Sequence, residues 1–250
     1  MRKRSRALLY GCGVFSTLRV SYGQPLFWEK HWRRLVDNAA RVGIDLSEHS
    51  EAKTRHALDE IIATQNVLHG KARITFADDS PSDIWANESA KDTVLSIVTS
   101  GLRTHSNDFR LTISPYHINL GSPLLGIKSC NYLDKVLALD EARARSFDEA
   151  IQLNERGEVT SATMANVFWL DDDILYTPSL NTGCLPGTTR EFVLENLGCR
   201  EAEVKMDALN SADAIFLTSA GLGVVQVAEF ESTRFDKIEH PILELLPALT

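Results

Sequence analysis

The sequence predicts a mixed α/β fold of the α+β type, divided into two domains, with a strand-rich second half. Apolar residues recur at helical spacing in several segments, and short runs of β-branched and aromatic residues bounded by turn formers lie between them. Residues 100–108 consist mainly of turn formers without apolar periodicity, which indicates a linker. We therefore expect a small N-terminal domain over residues 1–99 and a larger C-terminal domain over residues 109–250.

The composition is that of a compact, acidic protein. The chain has 250 residues, of which 44% are apolar, so it can bury a core without disulfide bonds and does not resemble a disordered chain. Asp and Glu number 34 against 26 Lys and Arg, which leaves a net charge of −8. Binding to the phosphate backbone of a nucleic acid requires an excess of Lys and Arg, so we expect no nucleic-acid partner.

The first half is predicted to contain a strand, two helices and two further strands. The opening strand mixes β-branched and aromatic residues and ends near a turn at Gly23. The first helix carries an apolar stripe that starts at Trp32 and ends before Gly43, and the second helix ends at Gly70. In chain order, the strand, the helical stripe, the second helix and the last two strands span residues 10–22, 32–40, 51–69, 72–77 and 93–99. A polar loop joins those last two strands.

The second half is predicted to consist mainly of short strands around two helices. Residues 131–145 form a helix whose apolar side includes Leu133 and residues at helical spacing from it, so that Lys135 should face solvent. Residues 188–197 form another helix, and three consecutive aspartates at 171–173 form a hairpin turn. The predicted strands span residues 109–114, 149–153, 166–170, 174–177, 214–218 and 223–229.

Neither a membrane segment nor a metal site is predicted. The first six residues are basic, but the apolar stretch after them has about four residues, fewer than a signal peptide needs. No apolar run approaches the length of a membrane span. The four cysteines form no C-x-x-C pair and no H-E-x-x-H motif occurs, so we expect reduced thiols and no zinc. These features are typical of a cytoplasmic protein.

Three segments contain side chains able to carry chemistry, and each also has a purely structural explanation. Apolar residues directly precede Lys128, and burial there would lower the pKa of its amine and make it a nucleophile. The alternative is a lysine whose charged end reaches solvent. A Gly- and Pro-containing turn leads into a helix that begins with Thr188 and Thr189, which could bind a phosphate or form an ordinary cap. Arg34 could reach a phosphate or lie on a solvated helix face.

Four motifs resemble those of one enzyme family in order and spacing. They are Tyr10–Arg19 (Y-G-D-G-V-F-E-T-I-R in the family), His31–Leu35 (H-L-x-R-L), Lys128–Leu133 (K-x-x-N-Y-L) and Leu185–Arg190 (L-P-G-I-T-R). The chain therefore resembles the class-IV aminotransferase group, the fold-type-IV enzymes that use pyridoxal 5'-phosphate. The resemblance implies a small N-terminal α/β domain, a barrel-like C-terminal domain, a cofactor in the cleft between them, and a homodimer.

The resemblance also implies a role for each matching residue. Lys128 would form a Schiff base with the cofactor and would move protons once the substrate displaces it. Arg34, the backbone of Thr188 and Thr189, and the Thr189 hydroxyl would bind the cofactor phosphate. Tyr132 would hydrogen-bond the ring hydroxyl oxygen. The cofactor would be the electron sink, and the protein would select which bond breaks.

The chain departs from the family pattern at several positions. Ser161 stands where the family has a glutamate beside the pyridine nitrogen, so the ring would be a weaker electron sink. Ala220 lacks the hydroxyl that usually completes the phosphate site, and Cys12 replaces an aspartate. Ser16 replaces a glutamate, and because some aminodeoxychorismate lyases carry a hydroxyl residue there, we assign Ser16 a catalytic role. The sequence begins almost at the first motif, so the resemblance implies that the N-terminal strand usual in the family is missing.

These features favour a pyridoxal-phosphate lyase resembling the aminodeoxychorismate lyases, which would eliminate pyruvate to give 4-aminobenzoate. An aminotransferase for branched-chain or D-amino acids is one alternative, because it would share the scaffold. A homologue of low activity, or one that binds the cofactor without catalysis, is a second alternative, because several motif positions have changed. In each case the partner would be a small substrate that bears an amino group, and no membrane would be involved.

Overall fold

The computed structural model describes residues 5–81, 92–102 and 108–246. These residues form two compact units. The first unit contains the described residues up to Leu102 together with Ile127–Tyr132, and the second unit contains the other described residues.

The membership of Ile127–Tyr132 differs from the expectation that residues 109–250 lie in one domain. Backbone pairing explains the difference, because Val14 and Ser129 form an antiparallel β-bridge that attaches this segment to the first unit. Residues 103–107, most of the predicted linker, lie outside the described residues.

The first unit contains a four-stranded antiparallel sheet. Its elements are α1 (Arg6–Tyr10), β1 (Gly13–Ser21), β2 (Gln24–Pro25), α2 (Trp28–Val42), α3 (Glu51–Thr64), β3 (His69–Asp78) and β4 (Thr93–Ser100). The strand order is β2-β1-β3-β4, and β1 pairs with β3 over its whole length, from Gly13 opposite Ala77 to Ser21 opposite His69. Buried side chains alternate along much of β3, which is the pattern of a sheet with one covered face.

The two long helices of this unit pack through stripes at helical spacing. Helix α2 contacts β1 and buries Trp28, His31, Leu35 and Ala39. It ends at Gly43 in the left-handed conformation, at the residue predicted to stop it. Helix α3 buries a similar stripe and contacts β3 and β4.

Two boundaries in this unit differ from the sequence prediction. The strand predicted from residue 10 begins at Gly13, because the preceding residues form α1, which ends at Gly11 in the left-handed conformation. The second predicted helix ends earlier than expected, at Thr64. Asn66 then adopts a positive φ of 52°, which turns the chain toward β3.

The second unit contains two five-stranded sheets. Its elements are β5 (Arg110–Ile113), α4 (Leu133–Ala144), β6 (Glu149–Leu153), β7 (Val159–Ala162), β8 (Asn166–Asp171), β9 (Ile174–Pro178), α5 (Thr188–Asn196), β10 (Cys199–Ala202), α6 (Asp207–Asn210), β11 (Ala214–Ser219), β12 (Gly223–Gln226), β13 (Glu229–Phe230) and β14 (Thr233–Arg234), with short 3₁₀-helices at Leu180–Thr182 and Pro241–Glu244. The strand orders are β10-β9-β8-β11-β12 and β14-β13-β5-β6-β7. The prediction of a mixed α/β fold with a strand-rich second half is confirmed.

Strand β8 is buried on both faces, which places it at the centre of the second unit. Val167 and Trp169 point into a core shared with apolar residues of the other sheet. Phe168 and Leu170 point into a second core that includes Val193 of α5. The period of two along the strand therefore divides its side chains between the two cores.

Helix α4 forms where a helix was predicted, but the prediction of its buried face was wrong. Its buried apolar residues are Ala138, Leu139 and Ala142. Lys135 precedes Ala138 by three residues and Leu139 by four, so it lies on the same face of the helix. The residues predicted to face the core are exposed instead: Leu133, Val136, Leu137 and Ala144. The two buried alanines explain the difference, because small side chains let the helix pack closely on β6.

The remaining predictions for this unit are mostly confirmed. The predicted hairpin turn joins β8 to β9, and Asp172 and Asp173 adopt positive φ there. The strand predicted over residues 223–229 is divided into β12 and β13, and β7 and β10 were not predicted.

All four cysteines are free thiols. Within the described residues, no helix combines the length and apolar character needed to cross a bilayer.

Candidate active site

Lys128 lies on a segment that pairs with β1. The amide of Phe15 donates to the Lys128 carbonyl at 2.9 Å, and the amide of Cys130 donates to the Gly13 carbonyl at 2.8 Å. Lys128 and Phe15 are therefore opposite each other on antiparallel backbones, and their side chains lie on the same face. The first and third sequence motifs thus form one local structure.

Two glycines of the first motif permit this close pairing. A Cβ atom at Gly13 would lie 2.9 Å from both Cys130 Sγ and the carbonyl oxygen of Phe76. Gly11 has a φ of 66°, and a Cβ atom there would lie 2.7 Å from Asn131 Oδ1. Instead, Asn131 Nδ2 donates to the Gly11 carbonyl at 3.1 Å. The glycines are required because the lysine-bearing segment approaches the backbone of β1 so closely.

The amine of Lys128 is held beside two aromatic rings. It donates to Tyr132 Oη at 3.0 Å and lies 4.7 Å from the ring centroids of both Phe15 and Tyr132. The two rings meet edge to face with their centroids 5.1 Å apart. Lys128 is half-buried, and the hydrogen bond to Tyr132 and the cation–π contacts orient its amine. The structure thus places the side chains of Lys128 and Tyr132 in contact, and their roles toward a cofactor remain predictions.

Ser16, His31 and Arg34 form a polar cluster between β1 and α2. Ser16 Oγ lies 2.8 Å from His31 Nδ1 and accepts a hydrogen bond from Arg34 Nη2 at 2.7 Å. Ser16 and His31 are both 0% exposed. Burial, and then the positive charges of Arg34 and Lys128, hold the pKa of His31 well below its usual range, so its ring is neutral at pH 7.

His31 is a residue of this cluster to which the sequence analysis assigned no role. The signal that could have identified it is its spacing, since His31 and Arg34 are three residues apart and lie on one side of α2. Ser16 was predicted to be catalytic, and that remains a prediction. Its contacts support a role in orienting Arg34.

Arg73 of β3 adds a cation to this region and was also not identified from the sequence. Its Cζ atom lies 3.5 Å from the centroid of the Phe15 ring. Burial raises the pKa of the Cys130 thiol, although the charge of Arg73 and a hydrogen bond from it act in the opposite direction. The first unit therefore places Lys128, Arg34 and Arg73 around β1, an arrangement suited to anionic ligands.

In the second unit, Thr188 and Thr189 begin the nine-residue helix α5. Both are buried, and the residue that caps the helix, Gly187, offers no side chain to its first amides. The Thr189 Oγ1 atom is buried without a hydrogen-bond partner among the described residues. A buried hydroxyl without a partner costs free energy, and a phosphate oxygen at the helix N-terminus would satisfy it.

Neighbouring residues shape the backbone in front of α5. Asn166 Nδ2 donates to the Leu185 carbonyl at 2.9 Å, and a Cβ atom at Gly187 would overlap Asn166 Oδ1. Thr218 lies opposite Asn166 in the sheet, and its Oγ1 atom is likewise buried without a partner in the described part of the chain. Ala220 lies two residues further on, after the end of β11. Thr218 thus supplies an unsatisfied hydroxyl that the sequence analysis did not assign.

Ser161 lies on β7, directly opposite Gln152 of β6, and only 6% of its surface is exposed. Among the described residues, its hydroxyl forms no hydrogen bond. A serine hydroxyl can donate one hydrogen bond and accept others, but it contributes no charge.

The predicted site residues are divided between the two units. Ser16, Arg34, Lys128 and Tyr132 lie together in the first unit. Ser161, Thr188, Thr189 and Ala220 lie in the second unit, and their individual roles remain predictions.

Each unit by itself offers groups of the kind that bind part of a phosphorylated aldehyde. Lys128 offers an amine, and the start of α5 offers amides with an unsatisfied hydroxyl at Thr189. In the part of the chain that the structure describes, no group of three or more His, Cys, Asp or Glu side chains is placed to bind a metal ion.

Comparison with known sequences gives independent evidence. The family described as class IV amino-transferases matches residues 13–230. An aminodeoxychorismate lyase of Bacillus subtilis is 30% identical over 237 residues, which cover 91% of this chain and 80% of that protein. A D-alanine aminotransferase of Bacillus licheniformis is 27% identical over 232 residues, which cover 90% of this chain and 81% of that protein.

Comparison with solved structures agrees with the sequence matches. A Legionella pneumophila protein, provisionally described as a 4-amino-4-deoxychorismate lyase, shares the fold with a TM-score of 0.88 and 29% identity. The match covers 96% of this chain and 90% of that chain.

Proposed function

Because this chain belongs to the class IV aminotransferase family, we propose that it is the lyase that converts 4-amino-4-deoxychorismate into 4-aminobenzoate and pyruvate. Enzymes of this family use pyridoxal phosphate, and this chain is one of them. The observation that carries the choice of a lyase is the 30% identity to an aminodeoxychorismate lyase over 91% of the chain. Ser16 supports it, because it stands where some of these lyases carry a hydroxyl residue.

We assign the binding of the cofactor to the residues described above. The amine of Lys128 would hold the aldehyde carbon, and Tyr132 Oη would bond the ring hydroxyl. Arg34, the Thr189 hydroxyl and the first amides of α5 would hold the phosphate. When bound, pyridoxal phosphate supplies a ring that withdraws electrons from the substrate carbon that loses its proton.

Lys128 and Tyr132 are also the groups best placed to move protons. Once the substrate amine has displaced it, the Lys128 amine can take a proton at Nζ from the substrate carbon. The hydrogen bond of 3.0 Å from Nζ to Tyr132 Oη fixes the direction of the amine. The aromatic faces of Phe15 and Tyr132 exclude water from one side of the amine.

An aminotransferase is the second candidate, and one observation favours it. The D-alanine aminotransferase of Bacillus licheniformis is 27% identical over 90% of the chain, only slightly less than the lyase. Ser161 weighs against this candidate, because a hydroxyl supports the ring charge needed for reversible transamination less well than a carboxylate does.

The deciding experiment measures product formation by the purified protein with pyridoxal phosphate and aminodeoxychorismate. We expect 4-aminobenzoate and pyruvate in equal amounts, and a borohydride-reduced adduct that mass spectrometry maps to Lys128. Lys128→Ala should abolish both results, whereas the surface variant Lys53→Ala should change neither. Conversion of D- or branched-chain amino acids with 2-oxoglutarate, without 4-aminobenzoate, would identify an aminotransferase instead. An adduct without any turnover would indicate a homologue that only binds the cofactor.

We further propose that the protein acts in the cytoplasm as a homodimer on a small substrate that bears an amino group. The homodimer and the substrate class follow from the family resemblance, and the cytoplasmic location follows from the four free cysteines, which are typical of a reducing compartment. Light scattering of the purified protein tests the homodimer, since a mass near 27.8 kDa would be that of a monomer.

A further inference from the structure

A lysine lies on the buried face of α4, where the sequence predicted a solvated one. Lys135 shares this face with Ala138 and Ala142, and its amine donates a hydrogen bond to Gln152 Oε1 on β6. Burial lowers the pKa of Lys135 to about 8. The amine therefore carries a positive charge at pH 7 and loses it as the pH rises past that value.

The acidic groups near this amine come from three elements. Asp134 precedes it on α4, Glu149 begins β6, and Cys184 lies in the turn before α5. Glu149 is buried, and burial raises the pKa of its carboxyl against the effect of hydrogen bonds from Thr163 and neighbouring amides. Since Lys135 donates to a neutral amide and not to any of these three groups, its charge is directed at Gln152.

Gln152, which accepts the hydrogen bond from Lys135, is the cross-strand neighbour of Ser161. The two residues are directly opposite each other in the antiparallel pair β6–β7, so their side chains lie on the same face of the sheet. The register shifts immediately beyond this pair, where Thr160 is the extra residue of a β-bulge and donates to the Gln152 carbonyl at 2.7 Å. Bulges of this kind reorient side chains at functional sites.

We propose that Lys135 is a positioning residue that acts through Gln152 on whatever binds at Ser161, and that it keeps the ring nitrogen of bound pyridoxal phosphate unprotonated. This inference depends on the proposed function, because it takes Ser161 as the residue beside that nitrogen. The Ser161 hydroxyl can donate a hydrogen bond to the lone pair of a neutral nitrogen. A nearby ammonium disfavours a second positive charge in the same poorly solvated region.

An unprotonated ring nitrogen would favour elimination over reversible transamination. A ring without a proton is a weaker electron sink than a charged ring. It is less suited to reversible transamination and remains adequate for an elimination that aromatisation drives. Lys135 would add a cation near the ring nitrogen, and Ser161 would omit the carboxylate that the family has there. Both differences would favour an unprotonated nitrogen.

The test is nitrogen NMR of the protein loaded with pyridoxal phosphate labelled with ¹⁵N in the ring. We expect the wild-type signal at neutral pH at the position of an unprotonated pyridine. Ser161→Glu should shift it toward the protonated position, Lys135→Met should shift it in the same direction, and Lys135→Arg should leave it unchanged because the charge is kept. A protonated nitrogen in the wild type, or equal shifts in both Lys135 variants, would overturn the inference.

A measurement on the wild type alone covers the case in which Lys135→Met does not fold. As the pH rises through about 8, loss of the Lys135 charge should appear as an inflection in the nitrogen signal, and a signal without that inflection would count against the inference. If the wild type forms no Lys128 adduct, both this inference and the proposed function fail. If the adduct forms and the nitrogen is protonated, only this inference fails.

Discussion

The hydroxyl of Ser16 lies between the buried imidazole of His31 and the guanidinium of the half-buried Arg34. It accepts from the guanidinium of Arg34 and shares a hydrogen bond with His31. A neutral imidazole is compatible with the cations beside it, whereas a charged one would not be. These two hydrogen bonds offset part of the free-energy cost of burying the polar groups, and the cluster is sensitive to the protonation of His31.

We predict that acid destabilises the protein through His31. The pKa of His31 is lowered in the folded state from about 6.5 in the unfolded chain. Its contribution to stability is therefore fully present above that pH and is lost as the pH falls below it, by at most about 1.4 kcal/mol per pH unit. Urea denaturation between pH 7 and pH 5 measures this dependence.

The matched variants for this prediction are His31→Asn and His56→Asn. Asparagine at position 31 cannot be protonated, so the free energy of unfolding should depend less steeply on pH than in the wild type. His56 is exposed on α3 beside Glu60, and its replacement should leave the slope as it is. The prediction is wrong if His31→Asn and the wild type lose stability in parallel.

At the scale of elements, the decisive contact is that between β1 and the segment that carries Lys128. The backbones approach closely enough that Gly13 has no space for a methyl group. The same contact explains why Ile127–Tyr132 groups with the first unit although it follows many residues of the second. In helix α4, Ala138 and Ala142 lie on the packed face and the larger apolar residues are mostly exposed.

We predict that Gly13→Ala destabilises the protein and disturbs Lys128. The added Cβ would lie 2.9 Å from Cys130 Sγ and from a backbone oxygen, so the segment must shift. Overpacking of this kind costs about 1–3 kcal/mol. The chemical denaturation midpoint measures the loss. Gly101→Ala is the control, because no atom lies within 4 Å of the added Cβ, and similar losses for the two variants would refute the explanation.

At the scale of the whole molecule, net charge and local charge have opposite signs. The chain carries a net charge of −8, yet the cations Lys128, Arg34 and Arg73 lie around β1. A positive region on an acidic protein attracts small anions selectively without binding polyanions in general. This distribution is consistent with ligands that carry phosphate and carboxylate groups.

We predict that pyridoxal phosphate raises the thermal unfolding temperature of the whole protein. A ligand present at 100 times its dissociation constant stabilises the native state by about 2.7 kcal/mol. Pyridoxal, which lacks the phosphate, should stabilise the protein less at the same concentration. Differential scanning fluorimetry measures both shifts.

Thr189→Val separates the phosphate contact from general stability. Valine has nearly the same shape as threonine and removes a buried hydroxyl that has no partner among the described residues, so the protein without cofactor should be at least as stable as before. The shift caused by pyridoxal phosphate should decrease toward that caused by pyridoxal. An undiminished shift would exclude Thr189 from the phosphate site.

Much of the fold could be predicted from the sequence because its signals are local. Helix α2 and its stop at Gly43, the hairpin at Asp172 and Asp173, and most strands follow from periodicity and turn formers within a few residues. The four motifs likewise identified the family, since their residues are conspicuous in order and spacing. Shorter strands such as β7 were missed because their few residues show no alternation of their own.

Other features depend on residues distant in the chain, and these required the folded structure. Lys135 looks like a surface residue until α4 packs through Ala138 and Ala142, and its link to Ser161 exists only because β6 and β7 pair in one register. His31 gains a role only when β1 brings Ser16 against α2. Local sequence determines which elements form, whereas burial, and with it the charge state of a side chain, is set by the elements that pack around it.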